Sequence, residues 1–270
     1  SMLHDFTGGT ALFVMPAPPI KCAGAPQKIM YLADGLFRKA GVRAQTKIIF
    51  ATAGKSIFAI PEFTAPLNAV LQRKGIEARF SHRLLSIDAQ KKVATFAKTT
   101  ETKAADGALL TATTEENIAY GLLHVVPTMS AHSYVAESNL ACADGPQAGW
   151  LQVDMHTLQH PMHRNIFGIG DVTGVPNSKT GAAIRKQVPV VERNLIEAMA
   201  CKSPSHLYDG YASCPLVTDK GRVILAEFGY NGKLLPTFPL NPTKERFSMW
   251  VLKRYLLPRL YWDGMLRGRA

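Results

Sequence analysis

The stretch from Asn165 to Gln187 reads N-I-F-G-I-G-D-V-T-G-V-P-N-S-K-T-G-A-A-I-R-K-Q. Apolar residues alternate with glycines and run into Asp171, a Gly/Pro/Asn turn follows, and Ser178 opens a helical pattern. The segment therefore predicts a strand, a tight loop and a helix N-terminus. Gly168 and Gly170 remove side chains where something must approach the backbone. Asp171 offers two acceptors at the end of the strand, and the helix start aims unpaired N–H groups at the same place. Read locally, Asp171 is either a turn or cap carboxylate or an acceptor for a polar ligand. Pro189 predicts that the helix over Ser178 to Met199 is kinked or split in two.

Upstream, Thr10 to Met15 reads as a buried strand, Gln27 to Ala40 as a helix closed by Gly41, and Lys47 to Ala51 as the next strand, a βαβ unit. Ile29, Met30, Leu32, Ala33, Leu36 and Phe37 are the expected core face of that helix. Glu62 to Lys74 predicts a second helix ending at Gly75, and Ile76 to Phe80 a third strand. Leu84 to Asp88 and Lys92 to Ala97 alternate around a polar turn as a hairpin does. Lys98 to Asn117, rich in Thr, Ala, Glu and Lys, reads as a mobile surface loop. Gly121 to Val126 is a further apolar strand. Gly149 to Val153 and Asn165 to Ile169 are expected as strands around M-H-T-L-Q-H-P-M-H-R. Its His156, His160 and His163 have neither carboxylate nor cysteine company, so they read as surface residues with no metal site. Tyr208 to Phe228 begins as a loop and ends in the strand Arg222 to Ala226, and Leu234 to Leu240 reads as a Pro-containing edge or lid.

The formal charge of +11 raises the question of a nucleic-acid partner. Its distribution argues against one, because seven Lys/Arg against two acids crowd into the last 27 residues. There Met249, Leu252, Leu256 and Leu260 recur at helical spacing among Phe247, Trp250, Tyr255, Tyr261 and Trp262, with Pro258 splitting the pattern. Aromatic rings interleaved with cations, without a run long enough to span a bilayer, suit a segment lying in the membrane interface. Cys22, Cys142, Cys201 and Cys214 stand far apart with no C-x-x-C, which points to thiols in a reducing compartment. Cys22 lies beside Lys21 and Lys28 near a helix start. It is either a small buried apolar residue or a thiol pushed toward thiolate.

Three segments carry a resemblance to a known family: G-I-G-D at 168–171, P-P-I-K-C-A-G-A-P-Q-K at 18–28, and Y-D-G-Y-A-S-C-P-L-V at 208–217. Together they resemble sulfide:quinone oxidoreductases, FAD-dependent members of the two-dinucleotide-domain disulfide reductase flavoproteins (pyridine nucleotide-disulfide oxidoreductases), over nearly the whole chain from Gly9. The resemblance implies an α/β fold. Its parts are a Rossmann-like, NAD-type domain with an inserted hairpin over 1–130, a partial FAD-binding domain over 131–205, and a C-terminal amphipathic quinone and membrane-interface region over 206–270. The G-x-G-x-x-G that cradles a dinucleotide pyrophosphate does not occur. The chain therefore reads as the C-terminal part of a longer flavoprotein, itself inactive and without bound FAD. The P-A-P-P-I-K-C-A-G-A-P loop, standing where glycines would bind a nicotinamide, likewise gives no support to NAD.

By the same resemblance Cys22 is the flavin-side redox cysteine. Gly170, Asp171, Lys179, Thr180 and Gln187 face FAD, with Asp171 on a ribityl hydroxyl. Phe228, Phe238, Phe247 and Tyr255 line a quinone slot, with Trp250 and Trp262 at the membrane. Sulfide and quinone are the implied substrates, with no nucleic acid and room for a homo-oligomer. The implied location is the periphery of a bacterial or mitochondrial inner membrane, on a reducing face. One position departs from the pattern: the second redox cysteine of the family follows the G-x-G-D acid, and here Val172 stands there. A valine cannot form a disulfide or hold a persulfide. Cys214 reads as structural. The departure keeps two alternatives open, a type II NADH dehydrogenase-like or disulfide reductase-like flavoenzyme and a non-enzymatic membrane-binding scaffold.

Overall fold

Four apolar segments lie side by side as one parallel sheet in a computed structural model of the chain, which describes residues 3–104 and 106–269. The strands are β1 (Gly9–Met15), β2 (Thr46–Thr52), β3 (Ile76–Arg79) and β7 (Leu122–Val125), in the order β3-β2-β1-β7. Residues Ala11 to Val14 are at most 1% exposed, as expected of a strand covered on both faces. Helices α1 (Ala25–Lys39) and α2 (Pro61–Lys74) make the crossovers. Each has a proline in its first turn, where the missing N–H costs nothing. Gly75 closes α2 in the left-handed conformation at φ +59. These elements belong to a first unit comprising Ser1–Pro18, Ala23–Thr128 and Leu216–Arg222.

The core face of α1 differs from the expected one. Leu32 and Leu36 are exposed, whereas Met30, Ala33, Asp34 and Phe37 are buried. The stripe includes a carboxylate because cations meet it there. Asp34 accepts from Arg43 Nε at 2.6 Å, Lys74 Nζ at 2.9 Å and Arg38 Nε at 3.0 Å. Lys74 Nζ also donates to Asp219 at 2.7 Å.

A second correction concerns Lys98 to Asn117, which forms most of two long strands rather than a mobile loop. After β4 (His82–Asp88), β5 (Val93–Lys103) and β6 (Leu109–Ala119) pair antiparallel from Val93↔Ala119 to Lys103↔Leu109. Threonines favour the pleated backbone, and most of β6 is exposed, so no apolar alternation marks it. The opposite end of this meander is apolar. Ala94, Phe96 and Ile118 pack with Leu12, Val14, Ile49 and Ala51 of the parallel sheet.

The second unit, Pro19–Cys22, Met129–Pro215 and Val223–Ala270, has little regular strand. After the single turn α3 (Ser133–Ala136), the segments expected as strands at 149–153 and 165–169 make only isolated bridges, including Leu151↔Thr173 and Gln159↔Phe167. Their alternation of large and small residues serves local packing. Helix α4 (Gly181–Met199) continues through Pro189 as one helix, so of the expected kink or split the split does not occur. The loop expected from Tyr208 contains a strand: β8 (Ala212–Asp219) pairs with β9 (Arg222–Phe228). The tail from Phe247 is helical through α5 (Phe247–Val251), a π-helical stretch and α6 (Leu257–Arg259). Pro258 is accommodated in the first turn of α6.

Candidate functional site

Within the second unit, the segment Pro19–Cys22 reaches the turn that ends in Asp171. Lys21 Nζ lies 3.0 Å from Asp171 Oδ2. The Lys179 backbone N–H donates to Lys21 O at 2.8 Å, and the Lys21 N–H donates to Met129 Sδ at 3.1 Å. Residues 150 positions apart in the sequence thus form one cluster. Lys21 and Lys179 both place their ammonium groups over the ring of Trp150, at 5.6 and 4.6 Å from its centroid. Trp150 itself is 1% exposed. Burial pushes the Lys179 ammonium down to about 8; Asp171 pulls it back up and Lys21 lowers it further. Such an amine exchanges its proton near neutral pH while sitting beside a carboxylate that is 57% exposed.

The glycines of the G-I-G-D turn serve the protein's own packing. A Cβ on Gly168 would come within 2.6 Å of Leu151 Cδ2 and 2.9 Å of Thr173 Cγ2. Gly170, at φ +66, has Ile184 of α4 where a Cβ would stand, at 3.0 Å. What approaches the backbone is therefore a neighbouring side chain. Gln187, 2% exposed, accepts the Gly170 N–H through Oε1 at 2.8 Å and pins the turn to α4. Thr180 caps α4, its hydroxyl accepting from the Ala183 N–H at 3.2 Å. Asn177 accepts from the Ser178 N–H at 2.8 Å, and its buried Nδ2 has no hydrogen-bond partner.

The cysteines sort themselves by geometry. Cys22 Sγ lies 3.5 Å from Cys214 Sγ on β8, a contact with no local signal in the sequence. Cys142 packs against Gly174, where a Cβ would meet its sulfur at 2.9 Å, and burial pushes its thiol pKa up. Cys201 is exposed just beyond α4. The histidine expectation needs one correction. His160 is buried at 2% exposure, and its Nδ1 accepts backbone N–H bonds from Met162 and His163 at 3.1 and 3.2 Å. Burial, then the neighbouring His163, pushes its pKa down, so it is a neutral structural residue. No cluster of three or more His, Cys, Asp or Glu suited to a metal occurs among the described residues.

The aromatic residues divide between a cleft and a surface. Phe238 lines a small cleft with Leu225, Glu227, Leu240, Arg246 and Met249. Its Glu227, 4% exposed, accepts from Tyr211 Oη at 2.5 Å and from the Thr237 N–H at 3.0 Å. Phe228 is buried at 5% exposure. Phe247, Tyr255, Leu256, Tyr261 and Trp262 are 45–68% exposed along the tail, and Trp250 is half-buried. No helix among the described residues is long and apolar enough to cross a membrane.

Comparison with known proteins bears on this arrangement. No family model matches the chain. It is 42% identical to the mitochondrial sulfide:quinone oxidoreductase of Mus musculus across 98% of its own length, and 37% identical to that of Dictyostelium discoideum across 97%. The chain belongs to the sulfide:quinone oxidoreductase family. It spans 56% and 54% of the lengths of these two relatives. The sulfide:quinone oxidoreductase of Aquifex aeolicus shares the fold at a TM-score of 0.73 and 16% identity, over 97% of this chain and 59% of that one. A chain in the mitochondrial ATP synthase of Tetrahymena thermophila shares it too, at 0.74 and 21%, over 98% and 60%. Within the sulfide:quinone oxidoreductase family, this chain's K-C-A-G-A-P loop and G-D turn are the two segments joined by the Lys21–Asp171 ion pair. Trp150 is the contributor that motif reading missed, and the motif around Cys214 gave no sign of its contact with Cys22. Trp150 stands in an unremarkable A-G-W-L run, and Cys214 reaches Cys22 across 192 residues.

Proposed function

We propose that this chain is the C-terminal portion of a FAD-dependent sulfide:quinone oxidoreductase, in which electrons from sulfide pass through Cys22 and the flavin to a membrane quinone. The Lys21–Asp171 contact carries the reading, because it brings the thiol-bearing loop to the carboxylate turn within one unit. The residues at that turn suit a flavin. Asp171 offers a largely exposed acceptor for a sugar-like hydroxyl, Asn177 Nδ2 is a buried donor lacking a partner, and Lys179 is a cation beside them. Gly170, Asp171, Lys179, Thr180 and Gln187 would hold the group, Gln187 by fixing the turn. Bound flavin supplies a two-electron acceptor. Cys22 would face it, and Lys179 would favour negative charge nearby.

The chain encodes no pyrophosphate cradle, so this segment alone is expected to purify without stoichiometric FAD and to be inactive. A yellow sample with flavin at near-equal molarity would overturn that expectation. Phe228, Phe238, Phe247 and Tyr255 are assigned to the quinone side, and Trp250 and Trp262 to the headgroup layer. The location assigned is the periphery of the mitochondrial inner membrane.

Val172 favours a second reading, a flavoenzyme of this fold taking electrons from a nicotinamide donor. Rapid-mixing absorbance on the full-length protein separates the two. Flavin bleached by sulfide supports the first. Flavin bleached by NADH and untouched by sulfide supports the second.

A further inference from the structure

We propose that the outer edge of β6 is a self-association surface, on which a second copy of this chain adds its own β6 antiparallel about a two-fold axis at Thr113. The three-stranded sheet has the order β4-β5-β6, so among the described residues no strand pairs with the far side of β6. The ladder tells which backbone groups face that side. Every β5–β6 pair from Val93↔Ala119 to Lys103↔Leu109 keeps one register. Just beyond its two ends the Tyr120 N–H donates to Lys92 O at 2.9 Å and the Ala104 N–H donates to Ala108 O at 2.8 Å. Hydrogen-bonded pairs alternate along such a ladder, so the even-numbered residues of β6 are turned to β5. Leu109, Thr111, Thr113, Glu115 and Asn117 therefore aim their N–H and C=O groups outward.

The edge lacks the usual protection. Exposed edge strands of monomeric proteins carry lysines, prolines or bulges that block a further strand. Leu109–Ala119 contains no Lys, Arg or Pro, its register is unbroken, and all of it except Glu116 and Ile118 is exposed.

The strand is also complementary to itself. With the axis at Thr113, that residue lies opposite its own copy, Thr111 opposite Glu115 and Leu109 opposite Asn117 of the second copy. All five outward residues then pair, giving about ten main-chain hydrogen bonds, the number a typical protein interface carries. No acid meets its own copy. Glu115 faces a threonine, and Glu116, held on its own sheet by Arg79 and by Lys98 at 3.4 Å, faces Leu110. Moving the axis to Glu115 would set two carboxylates opposite each other, so the side chains fix the register. One strand edge is a small interface, and the dimer is accordingly weak, with a dissociation constant on the order of 10 μM. The pairing uses no residue assigned to flavin, quinone or membrane, so it stands or falls separately from the proposed oxidoreductase activity.

The test uses the 270-residue chain. Sedimentation equilibrium of the reduced protein should show a monomer passing to a dimer as concentration rises. Thr113→Pro removes the N–H at the axis and leaves every bond to β5, and should weaken the dimer on the order of tenfold or more. Thr113→Glu crowds four carboxylates onto one face of the pair and should weaken it too, so the test survives if proline disturbs the sheet. Register is read by cross-linking in a Cys201→Ser background, which removes the exposed native thiol. Thr113→Cys should oxidise to a disulfide between the two copies of position 113, because the facing Cα atoms of a hydrogen-bonded pair lie about 5.5 Å apart. Glu115→Cys should not, its two copies standing roughly 13 Å apart along the strands. A chain that stays monomeric at about ten times the expected constant, a dimer unchanged by both Thr113→Pro and Thr113→Glu, or cross-linking at 115 as fast as at 113 would each overturn the proposal.

Discussion

Replacing Asp34 with Asn keeps the shape of the side chain and removes the charge around which the first unit is knotted. The Asp34 carboxylate has no exposure and takes three cationic donors, two of them, Lys74 and Arg43, largely buried themselves. An asparagine presents one carbonyl oxygen to three donors and turns an N–H₂ toward a cation. Breaking a buried pair from one side costs about 3–5 kcal/mol, because it strands a desolvated charge. Two features place this case at the low end. Lys74 retains Asp219 at 2.7 Å, and Arg43 retains the carbonyls of Thr46 at 2.8 Å and Lys74 at 2.5 Å. The expected loss is therefore about 3 kcal/mol, roughly a hundredfold in the opening equilibrium. Arg38 is half exposed, so Arg38→Gln should cost no more than about 1 kcal/mol. Hydrogen exchange of peptides covering β1 and β2 reads the first unit directly. Equal protection in Asp34→Asn and the unmutated chain, or equal losses in Asp34→Asn and Arg38→Gln, would refute the reasoning. The acid limb gives a second reading. Burial alone would raise the Asp34 pKa, but the hydrogen bonds from Arg38, Lys74 and Arg43 outweigh it and hold it below the ordinary carboxylate range. A depressed folded pKa contributes stability that is present above the unfolded value near 3.9 and is lost as pH falls through the folded one. The Asn variant should lack that part of the acid transition.

Lys179 gives a pH dependence of the opposite kind. With its folded pKa lowered to about 8, the unfolded chain holds more protons from there up to the ordinary lysine value, so the second unit should gain stability over that window, and Lys179→Met should flatten the rise in a denaturant series. Gly168→Ala should destabilise the second unit by about 1–3 kcal/mol, since the added methyl meets Leu151 and Thr173; a midpoint unchanged in urea would count against the packing account. Replacing Trp250 and Trp262 with Ala should weaken flotation of the chain with anionic liposomes, and undiminished binding would remove the tail from the membrane contact.

The elements that could be read from residues are those whose signal is local. Gly75 at φ +59 and Gly41 at φ +76 end helices because the backbone there needs a left-handed residue, and β1 and β2 are apolar because both faces are covered. The β5–β6 hairpin escaped because much of it faces solvent, leaving no apolar face for an alternation to reveal. The segment around Gly168 misled in the opposite sense. Its Gly/Ile alternation has the period of a strand, yet the small residues are there to let Leu151 and Thr173 in. On α1, a helical pattern placed Leu32 and Leu36 inside, while the partners of Asp34 drew a carboxylate into the buried stripe instead.

The candidate site shows the same division. Cys22 and Asp171 could be named from motifs, and the ion pair through Lys21 joins their two segments. What the motif around Cys214 did not carry was its contact with Cys22. Position 172 offers no sulfur, and attention to that one place makes Cys22 look solitary. Cys214 comes from a strand held by the burial of Ala212, Cys214, Leu216 and Val217. Because β8 is held by that packing, a change at 172 alone should leave Cys214 in place.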